Sequence, residues 1–404
     1  MKRLIIQAIA ISPPGTMGGN TKICLEMIRH LADRYELHVI VPAPKRETLS
    51  RNLLGCPPFS LHVIPGYRKS ELANPVASFL HYHRAVKHIF AELDVGRDDL
   101  VYTATDGHVD VAHTTLLQRR IRFTWIGCFF IFVPGMIENI RKGYGFPVLR
   151  YALGWCYQRI CFACLKAGAA AFVITNVCDA RHFPARFKDK LFAMYGGVNV
   201  EQIPERADAK TRDVVFCSRL NPQKGVSGLL DIWARVRRQC PNARLAVIGN
   251  GDAAYEAMLR DKADRLGIAS SIDWLGYVNN EAKYAIYASA KVFVHPTVYD
   301  NNGMVAAEAL CSGLPVVMFD LENLRAVYTT GCAKVPEGDQ TAFAAEVARL
   351  LQNDEHRTAV APDPGQLAAL RAHWNWKSRV AEFESFLEKV GHMQSGIHKP
   401  GDPA

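Results

Sequence analysis

No Asp-x-Asp pair occurs anywhere in the 404 residues, so the simplest side-chain pair for bridging a divalent ion to phosphate is missing and no metal is implied. The one close cysteine pair, Cys161 and Cys164 in RICFACLK, has metal-type spacing, but no second pair follows and its surroundings read as an apolar helix. The eleven cysteines are odd in number and scattered among apolar neighbours, which excludes an even disulfide framework and points to free thiols in a reducing compartment. No uncharged apolar stretch reaches the ~18 residues of a membrane span. Internal repeats, low-complexity blocks and recognisable nucleic-acid motifs are missing too, and the basic residues are interspersed, so no nucleic-acid partner is expected. The start, MKRLIIQAIAISPPG, imitates a signal peptide, but Gln7 interrupts the run, and Pro13 and Pro14 end it without a cleavage site. It reads as a buried first strand.

What is present describes a globular chain of two domains: 49% hydrophobic residues, 22% charged residues, and more length than one core usually serves. The net charge of +9 is unevenly placed. Residues 1–205 hold 25 Lys and Arg against 16 Asp and Glu, while the remainder hold 23 of each, so an acidic partner is expected for the first half. The longest apolar run, Phe123 to Ile137, lies between Arg119, Arg120, Arg122 and Arg141, Lys142. It is read either as a central strand with a packed loop or as a segment that meets an anionic membrane surface.

Short apolar runs alternate with helical patterns in the first half (LIIQAIAI, LHVIVP, LVYTAT, FTWIGCFFIF, AAFVIT) and again in the second (VVFCSR, RLAVIG, SIDWLG, KVFVHP, PVVMFD). That rhythm predicts an α/β protein with two parallel, Rossmann-like sheets. The boundary falls near residues 198–212, around the polar stretch EQIPERADAKTRD, with a first domain over 1–197 and a second over 198–375. A helix over 376–391 and an aperiodic, disordered tail over 392–404 complete the chain.

The densest chemistry runs from His295 to Val317. There the strand KVFV is followed by a polar loop with Asp300, Asn301, Asn302 and Gly303, and then by a helix from Met304 that carries Glu308. A helix N-terminus after Asn-Asn-Gly offers unpaired N–H groups to a phosphate, and Glu308 is in reach of the hydroxyls of a sugar attached to it. In CSRLNPQKG, Arg219 and Lys224 follow another strand and aim at the same crevice, suited to neutralising a diphosphate that gains charge as its bond breaks.

These motifs resemble the retaining glycosyltransferases of family 4. The resemblance spans nearly the whole chain and implies the GT-B architecture, two Rossmann-like domains facing each other across a cleft. SRL with QKG is similar to the family's phosphate-binding strand and loop, VIGNGD (with Gly249) to its next turn, WLGYV (with Tyr277) to the loop holding the nucleotide base, and DNNGMVAAEAL to its E-x7-E motif, with Asp300 in place of the first Glu. By that resemblance Glu308 binds ribose hydroxyls, while Asp300 and the amides of Asn302, Gly303 and Met304 meet the donor sugar. Arg219 and Lys224 hold the diphosphate, and Gly18 and Gly19 form the glycine pair of the first domain. YGGVN resembles the turn at the domain junction, and the Trp374–Trp376 segment the start of a last helix that crosses back. Many members carry a histidine near the reacting sugar, where WIGCFFIFVPG has Cys128 to Ile131, and His108 in TDGHVD is the nearest catalytic substitute.

The implied enzyme is a metal-independent, cofactor-free retaining hexosyltransferase of cell-surface polysaccharide or glycolipid synthesis. It takes a nucleotide-sugar donor and a glycan or lipid-linked acceptor, in the cytoplasm, at the inner face of the membrane. Two alternatives stand beside it. The first is a nucleotide-sugar-binding protein with weakened catalysis. The second is an NAD-dependent oxidoreductase, for which Gly249, Gly251 and Ala254 after RLAVIG fit G-x-G-x-x-A, with Asp273 about twenty residues on.

Overall fold

The computed structural model describes residues 1–14, 17–67, 74–132, 148–205 and 210–395. The end of the apolar run at Ile137, its flanking Arg141 and Lys142, part of the polar boundary and the last nine residues lie outside them. The described residues divide into two compact units, one of 1–132, 148–196 and 377–395, the other of 197–205 and 210–376.

In the first unit seven strands form one sheet in the order β3-β2-β1-β4-β5-β6-β7: β1 (Arg3–Gln7), β2 (Glu36–Pro42), β3 (Ser60–Ile64), β4 (Leu100–Thr103), β5 (Thr124–Phe129), β6 (Ala171–Ile174) and β7 (Leu191–Ala193). Every pairing is parallel. Fully parallel sheets need both faces covered, which is why the inner strands read as unbroken apolar runs. Phe123 is 2% exposed and Trp125 and Ile126 are 0% exposed. The described part of the aromatic run that sequence left open to a membrane is therefore core, joined to Phe90, Phe162 and Phe172. The adjoining Arg119, Arg120 and Arg122 are exposed in the turn that enters β5.

Six strands build the sheet of the second unit in the order β10-β9-β8-β11-β12-β13: β8 (Arg212–Cys217), β9 (Leu245–Ile248), β10 (Ile272–Gly276), β11 (Ala290–His295), β12 (Val316–Phe319) and β13 (Cys332–Val335), again all parallel. Successive strands run outward from β8 to β10 and then resume on its other side with β11. The strand order thus switches direction between β8 and β11, and loops leaving their carboxyl ends diverge around a crevice. The last helix, Trp376–Ser395, extends past residue 391, and 392–395 are helical rather than part of an aperiodic tail. Its Phe383 packs on Tyr102 of β4 and Phe192 of β7, so it belongs to the core of the first unit.

Candidate active site

The loop after β8 is stitched onto the loop after β11. Val298 N and Thr297 Oγ1 donate to the Gln223 carbonyl at 3.1 and 3.0 Å, and Gln223 Nε2 donates to the Tyr299 carbonyl at 2.8 Å. Gly225 closes this seam: its φ is +69°, and a Cβ there would stand 1.9 Å from the Pro296 carbonyl oxygen, so no other residue fits. The stitching delivers Lys224 Nζ to Asp300 Oδ2 at 2.6 Å, with both side chains largely buried. The other oxygen of Asp300 accepts from the backbone N–H groups of Asn301, Asn302 and Gly303 at 2.9, 3.4 and 3.3 Å. Burial alone would push the Asp300 carboxyl up; the Lys224 ammonium and His295 overcome it and hold the group well below the ordinary carboxylate range. His295 Nε2 stands 3.6 Å from Asp300 Oδ2, beyond hydrogen-bond distance.

The helix Met304–Cys311 begins immediately after this loop, and no side chain caps its first turn. Tyr328 Oη lies 2.7 and 2.8 Å from the carbonyl oxygens of Asn302 and Gly303 and shares its one proton between them, which ties down the loop ahead of the helix. Glu308, one turn inside, forms a second buried pair: Lys283 Nζ of the helix Asn280–Ala288 reaches its Oε1 at 2.7 Å. Burial alone would lower the Lys283 ammonium, and Glu308 reverses that and raises it. This pair lies near Cys217 at the end of β8, whose thiol burial pushes up to about 11, with Lys283 opposing the rise and Glu308 adding to it. Three side-chain atoms in this segment are buried without a hydrogen-bond partner: His295 Nε2, Asn302 Oδ1 and Glu308 Oε2. An unpaired buried acceptor costs about 1–3 kcal/mol, so Asn302 Oδ1 and Glu308 Oε2 mark a place built for something polar.

The structure thus brings Lys224, Asp300, Asn302, Gly303, Met304 and Glu308 into one loop-and-helix site. Arg219, at the start of the loop after β8, is exposed and makes no ion pair among the described residues. Tyr277, just after β10, is 65% exposed, with its ring available to a flat partner. Three contributors were not singled out by sequence: Lys283, His295 as a polar group rather than a strand end, and Tyr328. Only Lys283 left a trace, as a lone cation in the otherwise apolar helix pattern KYAIYASA.

In the first unit Gly18 caps the helix Gly19–Leu31, which has no side-chain cap and no acidic residue in its first turn, so its N-terminus also stays open to an anion. Gly18 N donates to Ser12 Oγ at 3.1 Å. His108 lies in the first turn of the helix His108–Gln118 and is 8% exposed. Its Nε2 is 3.2 Å from Ser78 Oγ, and its Nδ1 is in contact with Tyr157 Oη. Both ring nitrogens are thus engaged inside the unit, where they tie the helix of His108 to those of Ser78 and Tyr157.

The dinucleotide pattern after β9 has a different explanation. Gly249 has φ +126°, and a Cβ there would lie 1.8 Å from the Ser218 carbonyl oxygen, so the glycine serves the close approach of two adjacent loops. Asp252 accepts from Ala254 N at 3.0 Å and Tyr255 N at 3.4 Å, and Glu256 Oε1 accepts from Gly251 N at 2.6 Å. The amides a pyrophosphate would need are thus already taken by carboxylates, while Asp273 is paired with Arg244. The oxidoreductase reading does not survive this geometry. Among the described residues no group of three or more His, Cys, Asp and Glu is placed to hold a metal ion.

Residues 199–362 match the family described as Glycosyl transferases group 1. The second unit is a group 1 glycosyl transferase domain. Its matched region holds Arg219, Lys224, Lys283, His295, Asp300 and Glu308, so the buried cluster belongs to the group 1 domain. A phosphatidyl-myo-inositol mannosyltransferase of Mycobacterium leprae is 35% identical over 167 residues, covering 39% of this chain and 43% of that protein. The chain therefore spans less than half the length of that curated relative. Among solved structures, sucrose-phosphate synthase of Thermosynechococcus elongatus aligns with a TM-score of 0.78 at 15% identity, covering 97% of this chain and all of that one. The Anabaena HepE protein in complex with UDP and glucose aligns with a TM-score of 0.71 at 15% identity, covering 96% and 100%. These likenesses, with the two parallel α/β units, show the fold to be GT-B.

Proposed function

We propose that this protein is a retaining glycosyltransferase that transfers a sugar from a nucleoside diphosphate sugar to a glycan or lipid-linked acceptor at an anionic membrane surface. The observation that carries the reading is the buried cluster of the group 1 domain. There an uncapped helix N-terminus, the cation Lys224 and the unpaired acceptor Glu308 Oε2 are set within one loop and one helix turn. Helix N–H groups, Lys224 and the exposed Arg219 suit a diphosphate. Glu308 Oε2 suits a ribose hydroxyl, and Tyr277 suits a base. The UDP and glucose bound by HepE, which has the same fold, agree with this choice of ligand.

In this reading the diphosphate is the leaving group. As the bond from the sugar carbon to the phosphate oxygen breaks, negative charge grows on that oxygen, and Arg219, Lys224 and the helix N-terminus stabilise it without a metal ion. Asp300 keeps Lys224 oriented, and its buried, amide-bound carboxylate is not free to attack the sugar. The acceptor therefore approaches the face the phosphate leaves, and a phosphate oxygen takes its proton. Proton NMR of the first product formed from an α-linked donor checks this: an α-linked product is expected, and a β-linked one overturns the retaining reading.

Membrane docking is assigned to the first unit. The helix Val148–Gly168 contains Arg150, Arg159 and Lys166 and no acidic residue. Leu153, Cys156, Ile160, Ala163 and Ala167, spaced by three and four residues, form an exposed apolar stripe along it, with Leu153 and Ile160 each 65% exposed. An apolar stripe flanked only by cations matches an anionic interface. The relative named for phosphatidyl-myo-inositol supports a lipid-linked acceptor. Sedimentation with phosphatidylglycerol vesicles is expected to pellet the protein at low salt and release it near ~0.5 M salt, where screening is short-ranged. Leu153→Glu with Ile160→Glu should lose most of the pelleting; unchanged pelleting of that variant contradicts the assignment.

A further inference from the structure

We infer that Lys283 is a positioning residue that makes Glu308 a selective acceptor for ribose. The inference rests on the nucleotide reading of the same site. Lys283 Nζ occupies Glu308 Oε1 at 2.7 Å, and Glu308 Oε2 is left buried without a partner. A free carboxylate can turn to present either oxygen or both. One whose first oxygen is tied to an ammonium on a neighbouring helix presents a single acceptor in a single direction.

The ion pair is also shielded from water. Lys283 and Glu308 have side chains only 12% and 11% exposed, so little water competes for either partner and the geometry of the pair is held. Lys283 therefore acts on the ligand through Glu308. It fixes the direction of the one oxygen that a ribose hydroxyl would meet. A 2′-deoxyribose leaves Glu308 Oε2 unpaired as it is in the free protein, so the pair is a device for preferring ribonucleotides.

The pairing with Asp300 shows why this role falls to Lys283. Lys224 and Asp300 form a comparable buried pair, but both Asp300 oxygens are used, one by Lys224 and one by three backbone amides. That carboxylate has no vacant oxygen for a ligand hydroxyl; Glu308 has one.

The test measures binding of UDP, GDP and their 2′-deoxy counterparts by calorimetry to the wild type, Lys283→Met, Lys283→Arg, Glu308→Gln and the Lys283→Met/Glu308→Gln double variant. The wild type is expected to prefer the ribonucleotide of one base by about 10-fold or more. Lys283→Met should lose most of that preference, Lys283→Arg should retain most of it, and the double variant should be no worse than Glu308→Gln, because the two residues act on one hydroxyl. A Lys283→Met protein that binds with the preference intact overturns the inference while leaving the nucleotide site standing, as does an additive double variant. If Lys283→Met and Lys283→Arg both fail to fold, the pair serves the fold and the inference falls. A wild type that binds neither UDP nor GDP overturns the nucleotide reading itself.

Discussion

Glu308→Gln is expected to weaken binding of the matching nucleoside diphosphate by roughly 30- to 100-fold, the equivalent of about 2–3 kcal/mol. The glutamine keeps the size and one acceptor oxygen of the glutamate and loses its charge, so a change of shape cannot account for the loss. It also leaves Lys283 without its anion inside the domain, which lowers stability in the absence of ligand. The two effects separate cleanly: calorimetry reports the affinity of the folded protein, and thermal unfolding without nucleotide reports the broken pair. An affinity within a factor of two of the wild type would remove Glu308 from the site.

Arg219→Ala and Lys224→Ala should each lower turnover by about 10²-fold or more, the usual consequence of deleting one electrostatic donor to a leaving group. They should differ in everything else. Arg219 is exposed and unpaired among the described residues, so its loss should leave the unfolding midpoint unchanged. Lys224 neutralises Asp300 inside the domain, and removing one partner of a buried pair costs about 3–5 kcal/mol.

The pH dependence of Lys224→Ala changes with the pairing. In the wild type the Asp300 carboxyl is held below its unfolded value of about 4, so its contribution to stability is present above that pH and lost on acidification below it. Without Lys224, only His295 and the three backbone amides oppose burial, so the carboxyl should rise toward its unfolded value and the variant should lose part of the stability that the wild type gains above about pH 4. Unfolding midpoints measured across pH 4 to 8 check this. A variant whose profile parallels the wild type would mean that Lys224 does not govern Asp300.

The sequence announced the inner strands of both sheets, because a strand covered on two faces is an unbroken apolar run. It missed β3, β7 and β13, which lie at the edges of the two sheets and carry mixed, partly exposed residues. At the site, Asp300, Asn302, Gly303 and Glu308 were legible because they are consecutive on one loop and helix, where spacing alone relates them. Lys224 was legible from its place after a strand. Lys283 and Tyr328 come from separate elements, 25 residues from Glu308 and 26 from Asn302, and only the folded chain brings them to their partners. His108 was read from position alone. Its position after a strand is that of a reacting group, and its engagement with Ser78 and Tyr157 depends on helices 30 and 49 residues away.

The central claim is that the buried cluster of the second unit takes a nucleoside diphosphate. Ligand-induced stabilisation of the full chain with UDP, GDP, their sugar conjugates, the matching nucleosides and NAD tests it most directly. One diphosphate series should raise the unfolding midpoint, by the equivalent of about 2.7 kcal/mol at a hundredfold excess over Kd, with the nucleosides giving almost nothing. No shift with either UDP or GDP, or a shift with NAD alone, would contradict the account.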